Sequence, residues 1–313
     1  MKSTHCSFKP LVSPYELKRP VRWDEPFGRS APVDVEIGFG MGEMLMRTAR
    51  ECPDRNFIGI EQHWERLCKT LRVMTKEQLT APEAFQNIRI LWVDARVVFE
   101  RLFTSKSVDT IYCLFPCPWP KKSHIKHRLF HHDFLKLLND RLKKDGKVKV
   151  VTDSYPYLEW VLSQAEGTGF RVETKTVQSQ YDTKFERKWR EEGQQEFFNL
   201  NFFKKKHINV SVKKDIVLKN YTLDKFDFER LRLKDEKGEI SVIFKDTVFD
   251  REKQKVLIYT LVAEQHLTQH FWIAVTRKKK AWSIAKAEGQ NFFPTAGIAR
   301  ALALVYEAAV NTA

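Results

Sequence analysis

Cysteine is scarce in this chain of 313 residues, and the five present (Cys6, Cys52, Cys68, Cys113 and Cys117) repeat no spacing. An odd number without a pattern suits a reducing compartment better than a disulfide framework. No apolar run reaches the roughly 18 residues of a membrane span, and the opening MKSTHCSFKP lacks the apolar stretch of a secretory signal. The expectation is a soluble, cytoplasmic protein that does not enter a membrane. Metal-ligand spacing is missing too. Cys113 and Cys117 have no second pair, and His127, His131 and His132 lack the acidic or thiol company that closes a site, so no metal is expected. Internal repeats and low-complexity tracts are absent, and nothing in the pattern sets an oligomeric state.

What the chain has in excess is positive charge. A net charge of +14 points to a polyanionic partner, either a nucleic acid or an anionic surface, while 42% hydrophobic residues suffice for real cores. Residues 1–32 are proline-rich and basic (Lys9, Lys18, Arg19, Arg22) and read as an irregular segment. From Val33 apolar runs alternate with helical periodicity. Val33 to Ile37, Phe57 to Ile60, Ile88 to Val93, Thr110 to Phe115 and Lys147 to Val151 read as strands, followed by a late pair, Phe170 to Val177 and Glu196 to Phe203. The alternation predicts an α/β fold, a doubly wound sheet over residues 33–207. One intervening helix has Phe130, Phe134, Leu137, Leu138 and Leu142 on a single face, with Asp145 and Gly146 expected to close it.

Residues 208–313 read as a smaller α+β module. Its expected strands centre on Ile208 to Val212, Ile240 to Phe244, Leu257 to Val262 and Phe271 to Val275, before a helix from about Thr295 to Ala309. A basic run, Arg277 to Lys280, lies near Phe271, Trp272 and Trp282, and RNA contact there stands level with a solvated hairpin edge.

Three stretches carry chemistry. The segment FPCPWPKKSHIKHRL, Phe115 to Leu129, puts prolines and Trp119 at a strand end and follows them with Lys121, Lys122, Lys126, Arg128, His124 and His127. A rigid aromatic loop of this kind can face a nucleobase while the cations meet phosphate oxygens. The first strand runs into EIGFGMG, where Gly38, Gly40 and Gly42 let the backbone turn and approach a ligand. Glu36, Glu61 and Asp94 then end three successive strands. Glu61 can accept from ribose hydroxyls and Asp94 from an adenine amino group, which describes an adenosine site unfriendly to extra phosphates. That argues against a dehydrogenase, and the missing metal spacing argues against a deaminase.

In this order EIGFGMGE, FIGIE, NIRILWVDA, FPCPWPKKSHIKHRL, VVTD and TKFE resemble the TrmB family of tRNA (guanine-N7)-methyltransferases over residues 33–203. The resemblance implies a class I methyltransferase (Rossmann-like) fold, S-adenosyl-L-methionine as cofactor and the guanine at position 46 of the tRNA variable loop as target. It assigns Glu36, Gly38, Gly40, Glu61, Asp94, Ala95 and Cys117 to the cofactor, and Lys121, Asp153, Thr183, Lys184, Phe185 and Glu186 to the substrate. Cys117 is a departure, since the family has an aspartate there that is assigned to catalysis. Guanine N7 carries a free lone pair, so its methylation releases no proton and needs no general base. Asp153 and Glu186 are then the expected acceptors for the base, with Cys117 shaping the pocket. Two other readings are the same chemistry on a different RNA and a tRNA-binding protein that has lost methyl transfer through Cys117.

Overall fold

A computed structural model describes residues 6–194, 196–279 and 281–312, so Lys280 of the basic run lies outside the described residues. The chain divides into two compact units, Met1–Lys213 and Lys214–Ala313.

The first unit is built on strands β1 (Val33–Ile37), β2 (Asn56–Ile60), β3 (Ile88–Leu91), β4 (Val108–Leu114), β5 (Leu142–Thr152), β6 (Phe170–Gln178) and β7 (Glu196–Lys204). Their order is β3-β2-β1-β4-β5-β7-β6. The first five are parallel, whereas β7 runs antiparallel to both β5 and β6. Every residue of β1 and β2 is buried, as expected of parallel strands covered on both faces. The covering helices are α1 (Asp24–Phe27), α2 (Glu43–Glu51), α3 (Trp64–Gln78), α4 (Ala95–Arg101), α5 (His132–Arg141), α6 (Tyr155–Ser163) and α7 (Lys184–Glu191). This is the class I methyltransferase topology. The winding reverses between β1 and β4, which opens a crevice at their carboxyl ends.

Two expectations are corrected here. The fifth helix does not extend to Asp145 and Gly146; it stops at Arg141, and Leu142 begins β5. Pairing with β4 outweighs the helical spacing, with Val108 opposite Leu142, Thr110 opposite Lys147 and a register shift absorbing the residues between. Residues 208–212 form no strand and stay with the first unit. The Ile208 and Val210 amides donate to Asn139 and Asp140 on α5, and the Val210 carbonyl accepts from Arg141. The N-terminal segment lies along β3, where Leu11 bridges to Ile90 and Pro10 and Val12 share two backbone hydrogen bonds with that residue.

The second unit is an antiparallel sheet of β8 (Tyr221–Leu223), β9 (Ile240–Asp250), β10 (Lys255–Glu264), β11 (Leu267–Lys278) and β12 (Ala281–Lys286), in the order β8-β12-β11-β10-β9. Helix α8 (Ala296–Val310), capped by the Thr295 hydroxyl, lays Ile298, Ala301, Leu302, Val305 and Ala309 into the same core as Val256, Ile258, Phe271 and Ile273.

The turn from β1 into α2 is tightly constrained. Gly42 has φ +73°, and a Cβ there would sit 2.4 Å from Thr70 Cγ2 on α3, whereas Gly38 at φ +69° faces open space. Gly38→Ala therefore meets only the left-handed backbone cost of about 1 kcal/mol, and Gly42→Ala adds a steric clash. Chemical denaturation should show Gly42→Ala less stable than Gly38→Ala by about 1 to 3 kcal/mol.

Candidate active site

Four of the motif blocks are seated on one apolar floor. Met44 at the start of α2, Leu114 ending β4, Val151 near the end of β5, Tyr181 and Phe197 pack together, with Tyr112 and Phe115 beside them. The pairing Leu114 opposite Val151 then brings the proline loop and Asp153 out of the sheet side by side.

At the end of β1, Glu36 is buried and, among the described residues, no hydrogen bond forms to its carboxyl. Burial pushes it up to about 8; Arg47 works in the other direction, while Glu43 and Glu61 add to the rise. Glu61 is equally buried but fully engaged, since one oxygen accepts from the Gly40 amide at 3.0 Å and the other from His63 at 2.9 Å. It ties the glycine turn to the end of β2, and each oxygen keeps one lone pair for a ribose hydroxyl. Asp94 is tied up further. It caps α4 through the Arg96 amide, pairs with the Arg96 guanidinium at 2.6 Å and accepts from Gln62. The expected adenine contact would have to share this carboxylate. Ala95 follows as the first residue of α4.

The proline loop departs from expectation at Arg128. It is buried, donates to the carbonyls of Pro118 and Trp119, and lies 4.9 Å from the Trp160 ring. It therefore holds the loop's shape and does not serve phosphate. Phe115 and Trp119 have φ of +53° and +44°, strained values for side-chain-bearing residues, and these bonds help to fix them. The Trp119 ring is partly covered by His124 and His127, at 5.6 and 5.2 Å. His131 and His132 face the carbonyls of Ile125 and Gln164. Lys121 and Lys122 project into solvent, and Cys117 is exposed.

Glu186 is the second correction. Its fully buried carboxylate accepts from the amides of Gln180, Tyr181 and Thr183, while Thr183 caps α7 in return. Glu186 thus braces residues 180–183 and has no face for a base. The loop it braces is tethered to α2, because Glu43 accepts from the Lys184 amide at 2.7 Å and pairs with Arg187, and Arg47 donates to the Tyr181 carbonyl at 2.7 Å. Phe185 stays 41% exposed and lies against Phe115. Asp153 remains the available acceptor. Burial raises its pKa, and among the described residues its carboxylate meets only its own backbone N–H. Sequence reasoning missed Glu43, Arg47 and Tyr181, which join the cofactor loop to the TKFE segment; the neighbouring Thr-x-x-Glu spacing of a capping box was the available signal.

The state of Glu36 makes stability depend on pH. The unfolded chain releases this proton near 4.5 and the folded chain near 8, so between them the unfolded state binds fewer protons. The stability conferred by a neutral Glu36 is present below about 4.5 and is lost as pH climbs to about 8. Glu36→Gln should match the parent near pH 5 and exceed it by several kcal/mol near pH 8.5 in ligand-free denaturation, on the order of 1.4 kcal/mol per unit of pKa difference.

Comparison with known proteins bears on what such a site does. Residues 30–199 match a family model described as "Putative methyltransferase". A tRNA (guanine-N(7)-)-methyltransferase of Chlorobium phaeobacteroides is 43% identical over 178 residues, 57% of this chain and 84% of that protein. The enzyme of the same name from Thermotoga maritima is 37% identical over 60% of this chain and 61% of its own length. That from Aquifex aeolicus is 29% identical over 282 residues, 87% of this chain and 92% of its own, so the match reaches beyond the first unit. With the strand order, the glycine turn and the six motif blocks already in place, the chain belongs to the TrmB family of tRNA (guanine-N7)-methyltransferases.

Proposed function

We propose that the chain transfers a methyl group from S-adenosyl-L-methionine to N7 of guanine 46 in the variable loop of tRNA. The observation that carries this reading is Glu36, a buried carboxyl that forms no hydrogen bond or ion pair among the described residues, two positions before Gly38, which faces open space. A ligand with a sulfonium and an ammonium group supplies the missing positive charge, so the residues fit the cofactor. When bound, the cofactor supplies an electrophilic methyl group.

The chain's own residues then have separate tasks. Glu36 takes up the cationic end, and Glu61 and Asp94, already fixed by backbone amides and Arg96, present a rigid rim for the nucleoside. Asp153 accepts from the N1 and N2 donors of guanine, which orients N7 toward the methyl carbon. Phe185 and Phe115 offer an apolar wall, and Lys121 stands exposed for a phosphate. Cys117 is a spacer near Tyr157, as no proton has to be removed from the base. The exposed thiol at that position favours one rival, a protein that binds tRNA without methylating it.

Incubating the protein with tRNA and labelled methyl donor, followed by digestion and mapping of the modified nucleoside, decides between them. The expected product is 7-methylguanosine at position 46; label at another site or no label overturns the proposal. Asp153→Asn should lower kcat/KM for tRNA about 100-fold with an unchanged unfolding midpoint. Glu186→Gln should lower the midpoint first, since three backbone amides lose a charged acceptor.

A further inference from the structure

Three aromatic rings stand out of the first unit where β2 and β3 end. Phe8, Trp64 and Trp92 are 50%, 39% and 49% exposed. Phe8 and Trp64 are stacked at 6.1 Å with 9° between their planes, and Trp64 lies 4.6 Å from Trp92. Exposed rings of this size are costly to leave in water, and these are held in place. The Trp92 indole donates to the Gln62 carbonyl at 2.9 Å. Phe8 sits between two anchors, the Ser7 amide bound to Thr75 Oγ1 and the bridge from Leu11 to Ile90. The ledge therefore needs no reordering to receive a flat partner.

Cations continue from it. Trp64 opens α3, and Arg66, Lys69 and Lys76 follow on the exposed surface of that helix over about 15 Å. None of the three forms an ion pair among the described residues. The acids of the helix are Glu65 and Glu77, and Glu77 is neutralised by Arg50. Arg66 also lies 5.9 Å from the ring of Phe185, so the row starts at the candidate active site.

We propose that this ledge and the α3 cations form a track for the RNA substrate, in which an unstacked nucleobase lies on Trp64 and Trp92 and the adjoining phosphates follow Arg66, Lys69 and Lys76. The inference rests on the tRNA reading above and extends it to a surface outside the methyl-transfer pocket. Aromatic faces accept any base, and unpaired cations neutralise the backbone, which is the chemistry that single-stranded segments require.

The test uses the full chain and unmodified tRNA, with binding measured over a range of salt and S-adenosylhomocysteine affinity measured in parallel. Trp64→Ala and Trp92→Ala should each weaken tRNA binding about tenfold or more, Trp92→Phe should recover most of it, and cofactor-product affinity should stay at the parent value. The double variant Lys69→Ala and Lys76→Ala should reduce the slope of log affinity against log salt by about 1 to 2. Unchanged tRNA binding in the tryptophan variants overturns the proposal. So does a loss of S-adenosylhomocysteine affinity, which would make the rings a wall for the adenine. A parent protein that neither binds nor methylates tRNA fails earlier, at the reading on which the track depends.

Discussion

A carboxyl group buried at the end of β1 that, among the described residues, forms no hydrogen bond or ion pair is the constraint around which the first unit is arranged. Leaving a charge there uncompensated is expensive, and the protein keeps the group neutral instead. The surrounding backbone makes the site chemically specific. The glycine turn brings main chain close on one side, Glu61 pins that turn to β2, and the apolar floor under Leu114 and Val151 keeps the neighbouring loops at a fixed height. A cationic nucleoside satisfies the electrostatics, whereas a phosphate would worsen them.

The acidic residues divide by what already satisfies them. Glu186, Glu61 and Asp94 accept from backbone amides, and Asp94 also from Arg96, so each holds its surroundings rigid. Among the described residues Glu36 forms no hydrogen bond and Asp153 meets only its own backbone N–H, and burial raises both. These two groups lie at the end of β1 and just after β5, two strands flanking β4, where the proposed cofactor and base contacts would be made. The proline loop follows β4 between them, and Arg128 fixes its carbonyls from beneath.

Much of this was legible in the residues. The strands of the parallel sheet are continuous apolar runs, and turn residues punctuate them, so their positions follow from local pattern. Where the reading failed, a distant partner decided. Leu142 is apolar in a helix or a strand, and only β4 tells which. Arg128 reads as a surface cation until Tyr157 and Trp160 arrive from α6 to bury it. Phe8, Trp64 and Trp92 are scattered in the chain, and nothing local announces that they meet. Glu186 sits three residues after Thr183, the spacing of a capping box, and the structure shows it used in that way.

Residues 7–12 do more than carry Phe8. Residues 10–12 lie parallel to Ile90 and occupy its amide and carbonyl, which the outermost strand of the large sheet would otherwise show to its surroundings. Without that cover β3 would be a ready template for strand addition by a second molecule. The same few residues that position a ring for RNA therefore also guard a densely charged enzyme against clumping on its own border.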